Sequence, residues 1–437
     1  MEINTNTTKR DKKFKSFNET FPHCAFALAI SMIYPNRENI QTRFKVIFSV
    51  IAINGVMLYW FLLYLWKCIC NHDMYNVSRN LTIGILVTLF FFKSFYVTNK
   101  THRFAQILEK ISNDLLKGND MDDSYQEIYE KYIKLGKLGQ TCWIFIPILL
   151  TSQFPIYAGV STIYESLKTD VGKKYMIHEM DLKYLEDKQY DSPIYELTFA
   201  YHLITCLTLS PNFAGFDGSF CIATNHLRLK LKLLAHKVDR AFKDAKNRYE
   251  LHAMIKETIR DHQEALSFYE DLQAVYGSWL FTVFAVTSLL ISLNIYQIYL
   301  SERVDPKYAI FAISGIIHMF TPCYFASNLI KTSEELSLDL YSVEWEVWAY
   351  PAVTKLLIFM IAKSQQTLIL TGNGIVYFNM QLFISLPLTI AKVSVDRGLP
   401  LPRNAWGVPP PAPFTFARCS AQPMTARPEP AKGFIYK

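Results

Sequence analysis

The residues that could carry catalysis or hold a metal do not form a recognisable site in this sequence. The eight cysteines are scattered, and the close pair Cys68 and Cys70 has no later Cys or His pair to complete a zinc site. The sequence has no H-E-x-x-H, G-x-S-x-G or Walker motif, and we interpret Gly372-Asn-Gly374 as the start of a helix. We therefore predict that the protein is not an enzyme and uses no cofactor or metal.

Asp217, in the stretch AGFDGSF, is an acid near the middle of an apolar region. An ionisable group at a membrane helix is costly and usually has a partner or a function. Helix length places Asp217 at the inner membrane edge. A proton-relay carboxylate and a hydrogen-bonding or packing role are both open, and we favour the second.

The distribution of apolar residues predicts an all-α membrane protein with seven transmembrane helices. Of the 437 residues, 51% are hydrophobic and 19% are charged, whereas soluble domains carry about 25% charged residues. A spanning helix needs roughly 20 apolar residues, and so many long runs are a poor match to the buried helices of a soluble protein. The predicted spans lie in segments 46–66, 80–92, 138–164, 197–216, 272–301, 308–330 and 364–391.

Lys and Arg are concentrated on one side of the predicted bundle, and this sets its orientation. The segment 1–43 and the loops 99–137 and 218–271 are rich in these residues, while the alternate loops hold few. Cytoplasmic loops carry the basic excess, so we predict a cytoplasmic N-terminus and an extracellular C-terminus. G-protein-coupled receptors have the opposite orientation, and their Asp/Glu-Arg-Tyr and Asn-Pro-x-x-Tyr motifs are absent from the third and seventh helices.

The basic loop between the fourth and fifth spans is predicted to be helical, at about residues 218–272. Apolar residues recur at 4-3-4-4 spacing from Leu227 to Phe242 and at 4-3-4-3 spacing from Ile255 to Tyr269. Each apolar face needs a partner, so the two helices are expected to project into the cytoplasm and pack there. The outer loop 165–191 has mixed charge and is expected to form a lid.

The C-terminal third and the fourth span resemble the insect odorant receptor family. The likeness covers about residues 20–394 and agrees with the seven spans and the inverted orientation. Upstream, it includes Pro193-Ile-Tyr195, Asp217 and NHLRLKLKLL, which are similar to the family's fourth helix and its cytoplasmic continuation. In the C-terminal third the matching residues are Cys323, Ser333, Tyr341 and Trp345, followed by KSQQTLILTGNG and FNMQLF.

The resemblance implies a last helix that is split into two halves. Residues 350–363 resemble the cytoplasmic half, which packs in a four-subunit anchor, and residues 368–391 resemble the half that lines a central cation pore. At helical spacing, Gln381, Ser385 and Thr389 would then face the pore with neutral polar groups. The family also implies a hetero-oligomer, expected to be a tetramer, with a shared co-receptor. The short loop between helices four and five marks this chain as the ligand-tuning subunit, in the plasma membrane of a sensory neuron.

The resemblance also implies a ligand pocket in the outer half of the bundle, between helices two, three, four and six. The expected ligand is a small, volatile, mostly apolar odorant that binds by apolar burial, worth about 25 cal/mol/Å², with few polar contacts. His202 and Tyr157 are the candidate hydrogen-bond donors, and for each residue helix packing is the alternative role. The expected lining residues are Leu81, Ile85, Phe154, Tyr157, Tyr195, Phe199, His202, Ile310, Ser314 and Ile317.

These expectations divide the chain into four regions: a cytoplasmic segment 1–43, a six-helix bundle 44–330, an anchor and pore helix 331–394, and a tail 395–437. The tail holds nine of the 19 prolines and no periodic apolar pattern, so it is predicted to be disordered. It departs from the family's Ser-Tyr-Ser-like ending. A native specialised tail and a mis-joined exon or shifted frame are both open, and the second would put channel function of this chain in doubt.

Two other functions remain open at this point. A gustatory receptor of the same superfamily would carry a Thr-Tyr-x-x-x-x-x-Gln-Phe signature in its last helix, which is absent. A secondary transporter would show inverted repeats and paired midplane charges, and neither is apparent in the sequence. We expect the lipid bilayer as a partner and no nucleic acid.

Overall fold

Helices make up nearly all of the structure. The computed structural model of the chain describes residues 13–31, 40–168, 172–300, 306–348 and 350–385. A short 3₁₀ turn, Gly118–Asp120, joins the fourth and fifth helices. The helices in chain order are α1 (Phe17–Thr20), α2 (Pro22–Ile30), α3 (Ile40–Cys70), α4 (Met74–Lys117), α5 (Asp123–Lys168), α6 (Ile194–Asp244), α7 (Arg248–Leu300), α8 (Pro306–Tyr341), α9 (Trp345–Trp348) and α10 (Pro351–Ser364).

Five of these helices, α3, α4, α5, α7 and α8, are long and apolar enough to cross a membrane. They contain the first, second, third, fifth and sixth predicted spans. The predicted all-α membrane protein is therefore confirmed. The seventh predicted span runs past residue 385 and so extends outside the described residues.

Helix α6 contains the fourth predicted span but does not belong to that apolar group. The reason is its position, because it packs against α5, α7 and α8 and also contacts α2, α3 and α4. Protein surrounds much of α6, so it can carry buried polar residues such as His202, Asn212 and Asp217 where a lipid-facing helix could not. The orientation of the bundle relative to the two sides of the membrane stays a prediction.

The predicted helical continuations of the fourth and fifth spans are present, while their cytoplasmic location stays a prediction. Helices α6 and α7 contain 51 and 53 residues and are separated by only three residues, 245–247. The predicted apolar faces do find partners, since Leu227, Leu231 and Val238 are buried on α6 and Ile255 is buried on α7. These residues belong to one continuous apolar core that also includes α8, α10 and the N-terminal Phe17 and Phe21. The participation of α1 and α2 in this core was not predicted from the sequence.

The last predicted helix, with halves at 350–363 and 368–391, is interrupted as expected, but the interruption continues to residue 379 and is longer than predicted. Helix α10 ends at Ser364, and a two-stranded antiparallel hairpin follows, with β1 (Thr371–Gly372) paired to β2 (Val376–Tyr377). Residues 380–385 are helical again. The interpretation of Gly372-Asn-Gly374 as a helix start is wrong, because Asn373 and Gly374 have φ values of 53° and 72°, which suit a tight hairpin turn.

The hairpin is held against α7 by side chains that bind its backbone. Gln273 donates from Nε2 to the Thr371 carbonyl at 2.6 Å and accepts from the Thr371 amide at 3.0 Å. The Tyr269 hydroxyl donates to the Ile369 carbonyl at 2.7 Å, and the Leu368 amide donates to the Ser333 hydroxyl at 2.9 Å. Backbone groups in the segment between the two helical halves are therefore hydrogen-bonded to side chains of neighbouring helices rather than left exposed.

Candidate functional site

A small cavity lies inside the bundle among α4, α5, α6, α7 and α8. Its volume is about 60 Å³. Four polar residues, Thr151, Thr287, Ser314 and His318, line it, and the rest of the wall is apolar. The apolar wall residues include Leu86, Leu89, Ile146, Leu150, Leu209, Phe213, Leu290 and Phe311. An apolar space with few polar groups is the usual form of a small-molecule site.

Ser314 is the polar group in this wall that lacks a hydrogen bond. Its side chain is 1% exposed, and its Oγ has no hydrogen-bond partner among the described residues. A buried hydroxyl without a partner costs stability. A ligand that carries an oxygen atom would supply that partner, so Ser314 can orient a polar group in an otherwise apolar cavity.

His318 lies one helical turn below Ser314 and forms part of the cavity floor. Its Nδ1 is 3.0 Å from Thr287 Oγ1, and its ring lies edge-on to Trp143 with ring centroids 5.0 Å apart. Its Nε2 is 4.0 Å from the carboxylate of Asp217. The floor of the cavity is therefore in direct contact with a buried ionic network.

That network pairs a buried lysine with a buried aspartate. Lys93 Nζ is 3.0 Å from Asp217 Oδ2, and the two side chains are 0% and 3% exposed. Trp279 donates from Nε1 to the other carboxylate oxygen, and Lys93 lies 4.8 Å from the ring centroids of both Phe213 and Trp279. The carboxylate is thus paired and hydrogen-bonded, which favours the structural role expected for Asp217 over a proton relay.

A second cluster of buried rings lies on the outer side of the cavity. The His178 and His202 rings are 5.2 Å apart between centroids, and His178 also packs edge-on against Phe61 at 5.4 Å. Both ring nitrogens of His202 and Nδ1 of His178 lack partners among the described residues. Burial lowers the pKa of His178 well below its usual value, with His202 and Lys307 adding to the effect, so this ring is neutral.

The predicted ligand residues do not all line the cavity, and several lie among the buried side chains on its outer side. Ser314 lines the cavity. Ile85, Phe154 and Phe199 instead pack in an outer apolar cluster, and His202 adjoins that cluster through His178. The outer apolar cluster is the group of packed side chains that includes Met57, Phe61, Val87, Phe90 and Ile177. The cavity thus lies deeper than the predicted pocket. Leu209, Leu290 and Phe311 belong both to its wall and to the outer apolar cluster, and so lie between the cavity and the packed residues of that cluster.

The remaining predicted residues lie at the edges of the bundle. The Tyr195 hydroxyl donates to the Tyr175 carbonyl at 3.0 Å, and Tyr157 lies under Lys307 at 4.4 Å and is 38% exposed. Ile317 is 39% exposed, and the side chains of Leu81 and Ile310 are half-buried. Whether these residues contact a ligand stays a prediction.

The sequence reasoning missed Thr151, Thr287 and His318, which line the cavity beside Ser314. His318 follows Ser314 by four residues and so shares its helix face. A search for a second polar residue on that face would have found it. Thr151 and Thr287 have no comparable signal, because threonine within an apolar helix usually bonds to its own backbone.

The segment that was predicted to form a lid packs against the bundle, and its role as a lid stays a prediction. In the outer segment 172–193, Met176, Ile177, Met180 and Leu182 are buried. Glu179 bridges two helices, since its carboxylate pairs with Arg79 on α4 and lies 3.0 Å from Lys307 on α8. Burial alone raises the pKa of Glu179, but the charges of Lys307 and Arg79 outweigh it and hold the pKa below its usual value.

Of the predicted pore residues, Gln381 and Ser385 are exposed on the helical residues 380–385, while Thr389 lies outside the described residues. At a spacing of four they share one face of that helix. The described chain contains no group of three or more His, Cys, Asp or Glu side chains that could hold a metal ion. All seven cysteines in the described ranges are free thiols.

The long apolar helices, the buried polar residues of the central helix and the internal cavity define a helical membrane protein with a small apolar space inside its bundle. The profile of the 7tm Odorant receptor family matches residues 73–389, which is most of the chain. The chain therefore belongs to the insect odorant receptor family. Members of this family are receptors rather than enzymes.

Two curated relatives come from Drosophila melanogaster. Odorant receptor 46a, isoform A, is 26% identical over 202 residues, which cover 45% of this chain and 52% of the relative. Odorant receptor 22b is 23% identical over 324 residues, covering 72% of this chain and 76% of the relative. The match thus spans about half the length of the first relative and three quarters of the second.

The fold is similar to solved structures of the insect olfactory receptor OR5 from Machilis hrabei. The structure in complex with eugenol has a TM-score of 0.69 at 13% identity, over 86% of this chain and 98% of that chain. A second structure of the same receptor has a TM-score of 0.68 at 14% identity, over 87% of this chain and 99% of that chain. At this identity the likeness concerns the fold.

Proposed function

We propose that this chain is the odorant-binding subunit of a ligand-gated, non-selective cation channel that assembles with a shared co-receptor. The gustatory and transporter alternatives have no comparable support, because the matching family is that of odorant receptors. The observation that carries the proposal is an apolar internal cavity with one unpartnered hydroxyl, that of Ser314. The receptor is expected in the plasma membrane of a sensory neuron.

The cavity favours a small, mostly apolar ligand with an oxygen atom. Apolar walls contribute by burial, at about 25 cal/mol/Å². The Ser314 hydroxyl then selects among apolar ligands by hydrogen bonding. The fold neighbour from Machilis hrabei was solved with eugenol, which agrees with a ligand of this chemical class for the present chain.

A volume of about 60 Å³ is smaller than the 300–1,000 Å³ of typical ligand pockets. We infer that the ligand enters by displacing the partition of Leu209 and Phe311 and reaches from the cavity toward His202. This places the predicted residues His202 and Phe154 at the outer end of the ligand and Ser314 at the inner end. The lid around Glu179 would then cover the outer end.

The channel half of the proposal rests on the split last helix. The interruption docks on α7 through Gln273 and Tyr269, and the described residues 380–385 that follow it are helical again. Gln381 and Ser385 are exposed on it and are proposed to face the pore, with Thr389 continuing the same face. Neutral polar groups hydrate ions without selecting among cations.

The test is current recording from cells that express this chain with and without a co-receptor, against a panel of volatile alcohols, esters and hydrocarbons. The proposal expects odorant-evoked cation current that needs both subunits. Purified receptor should also melt at a higher temperature with an active odorant present, because a ligand that binds only the folded state stabilises it. Odorants that neither evoke current nor raise the melting temperature would refute the binding role, whereas stabilisation without current would refute only the channel role.

A further inference from the structure

A groove on the outside of the bundle is separate from the odorant cavity. It has a volume of about 300 Å³ and lies between the end of α2 and helices α3, α4 and α6. Ile51, Ile204 and Leu207 on its walls are 37%, 46% and 65% exposed, so this face is turned away from the protein interior. Phe90 and Ile204 lie within predicted spans, which places the groove at the level of the lipid chains.

One polar group in this groove is buried without a full set of partners. Asn212 is 2% exposed, and its Nδ2 donates to Ser94 Oγ at 3.1 Å. Its Oδ1 has no partner among the described residues, although the residue lines the groove. A buried amide oxygen without a donor is unfavourable. This oxygen is covered by its neighbours, and a ligand that reached it from the groove with a hydroxyl group would satisfy it.

The rest of the lining restricts the class of ligand. None of the described residues that line the groove is charged, so it offers no partner for the charged headgroup of a phospholipid. Val50, Phe90 and Ile204 form an apolar wall on the outer side of Asn212. Thr98, Thr101 and Ser31 place hydroxyl groups on its inner side. The matching ligand is neutral, with a large apolar body and one hydroxyl group.

We propose that this groove binds a membrane sterol. The sterol hydroxyl donates to Asn212 Oδ1, and the ring system lies against Val50, Phe90 and Ile204. This assignment is independent of the odorant cavity, which is lined from the opposite side of α6 by Leu209 and Phe213. The sterol proposal and the odorant proposal can therefore be refuted independently of each other.

The test uses a photoreactive diazirine cholesterol incorporated into membranes that contain the full-length receptor, followed by mass mapping of the labelled peptides. Label should concentrate on residues 46–51, 90–101 and 204–212. Unlabelled cholesterol should compete, and its 3-methyl ether, which has no hydroxyl donor, should compete about 3- to 10-fold less well, the effect of one neutral hydrogen bond.

Three variants complete the test. Asn212→Leu should weaken cholesterol competition by the same factor and remove the difference between cholesterol and its ether. Asn294→Leu is the matched control, because Asn294 is also buried with an unpartnered Oδ1 but does not line the groove. Val50→Trp fills the groove without changing Asn212 and should abolish the concentrated label even if Asn212→Leu does not fold.

Several outcomes would overturn the proposal. Label spread evenly over the exposed faces of α3, α4 and α5 would show only general contact with lipid. Equal competition by cholesterol and its ether would remove the role of the hydroxyl group. An absence of label in all three segments would mean that another part of the chain or another molecule occupies the groove.

Discussion

Replacing Lys93 with methionine should be among the most damaging single changes in the bundle. The substitution keeps the length of the side chain but removes the ammonium group that lies 3.0 Å from Asp217 Oδ2 and 3.3 Å from the Phe213 carbonyl. Both ionic side chains are almost completely buried. The remaining carboxylate would keep Trp279 as a donor but would lose its counter-charge. Breaking a buried pair in this way costs about 3–5 kcal/mol.

The double variant Lys93→Met/Asp217→Leu should be less destabilised than either single variant. It removes both charges and leaves the Trp279 Nε1 donor without its acceptor, which costs about 1–3 kcal/mol. Lys110→Met is the matched control, because Lys110 is on the same helix and pairs with Asp271 at 2.7 Å while 37% exposed. A pair of that kind contributes about 0–1 kcal/mol.

The assay is the melting temperature of the detergent-solubilised receptor, followed by size-exclusion fluorescence. The expected order of stability is wild type, Lys110→Met, the double variant and then Lys93→Met. If Lys93→Met and Lys110→Met have the same melting temperature, the buried pair contributes no more to stability than a surface pair. If the double variant melts below both single variants, the two charges are not coupled and the reasoning is refuted.

Three further predictions concern the partition, the lid and the hairpin. Phe311→Ala should enlarge the cavity toward the outer apolar cluster and shift the odorant response toward larger ligands, with a stability cost of about 3–5 kcal/mol. Phe320→Ala, on the exposed face of α8, is the control and should leave the size preference unchanged in dose–response recordings. The pKa of Glu179 is lowered from 4.5 by Lys307 and Arg79, so its stabilisation is present above 4.5 and is lost as pH falls through the lowered pKa. Below pH 4.5 the wild type should therefore lose more melting temperature than Glu179→Gln, and parallel curves for the two proteins would contradict this. Gly374→Ala should destabilise the hairpin by about 1–2 kcal/mol because φ is 72° there, while Gly84→Ala, which has open space around it in a helix, should be neutral or stabilising. Melting curves of the two glycine variants that show the same shift would contradict the assigned turn.

The helical framework could be predicted from the sequence because its signals are local. Charge-free runs of spanning length located the membrane helices, and the apolar residues at helical spacing from Leu227 to Phe242 identified the helical extension of the fourth span. The hairpin was missed although Asn373-Gly374 is a strong turn signal. The surrounding apolar run has the composition of a helix, and only docking against Gln273 shows that its backbone bonds go elsewhere.

The cavity and the ionic network depend on distant parts of the chain and could be predicted only in part. Helical spacing shows which residues face the interior of the bundle, and this is why Ser314 was predicted to line a cavity. The spacing does not show at which depth in the bundle the packed side chains leave a space. Lys93 and Asp217 are separated by 124 residues. In the sequence each is an isolated charge within an apolar region, and only the packing of α4 against α6 brings the two together.

The ligand site at Ser314 is the central claim, and the dose–response of the co-expressed channel to a matched alcohol and hydrocarbon tests it most directly. Ser314→Ala should weaken the response to the alcohol by about 5- to 150-fold, the effect of losing a buried hydrogen bond worth about 1–3 kcal/mol, and should leave the hydrocarbon response nearly unchanged. Ser292→Ala, which removes an exposed hydroxyl on α7 bonded to its own helix, should change neither. An alcohol response that is the same in Ser314→Ala as in Ser292→Ala and wild type would contradict the account.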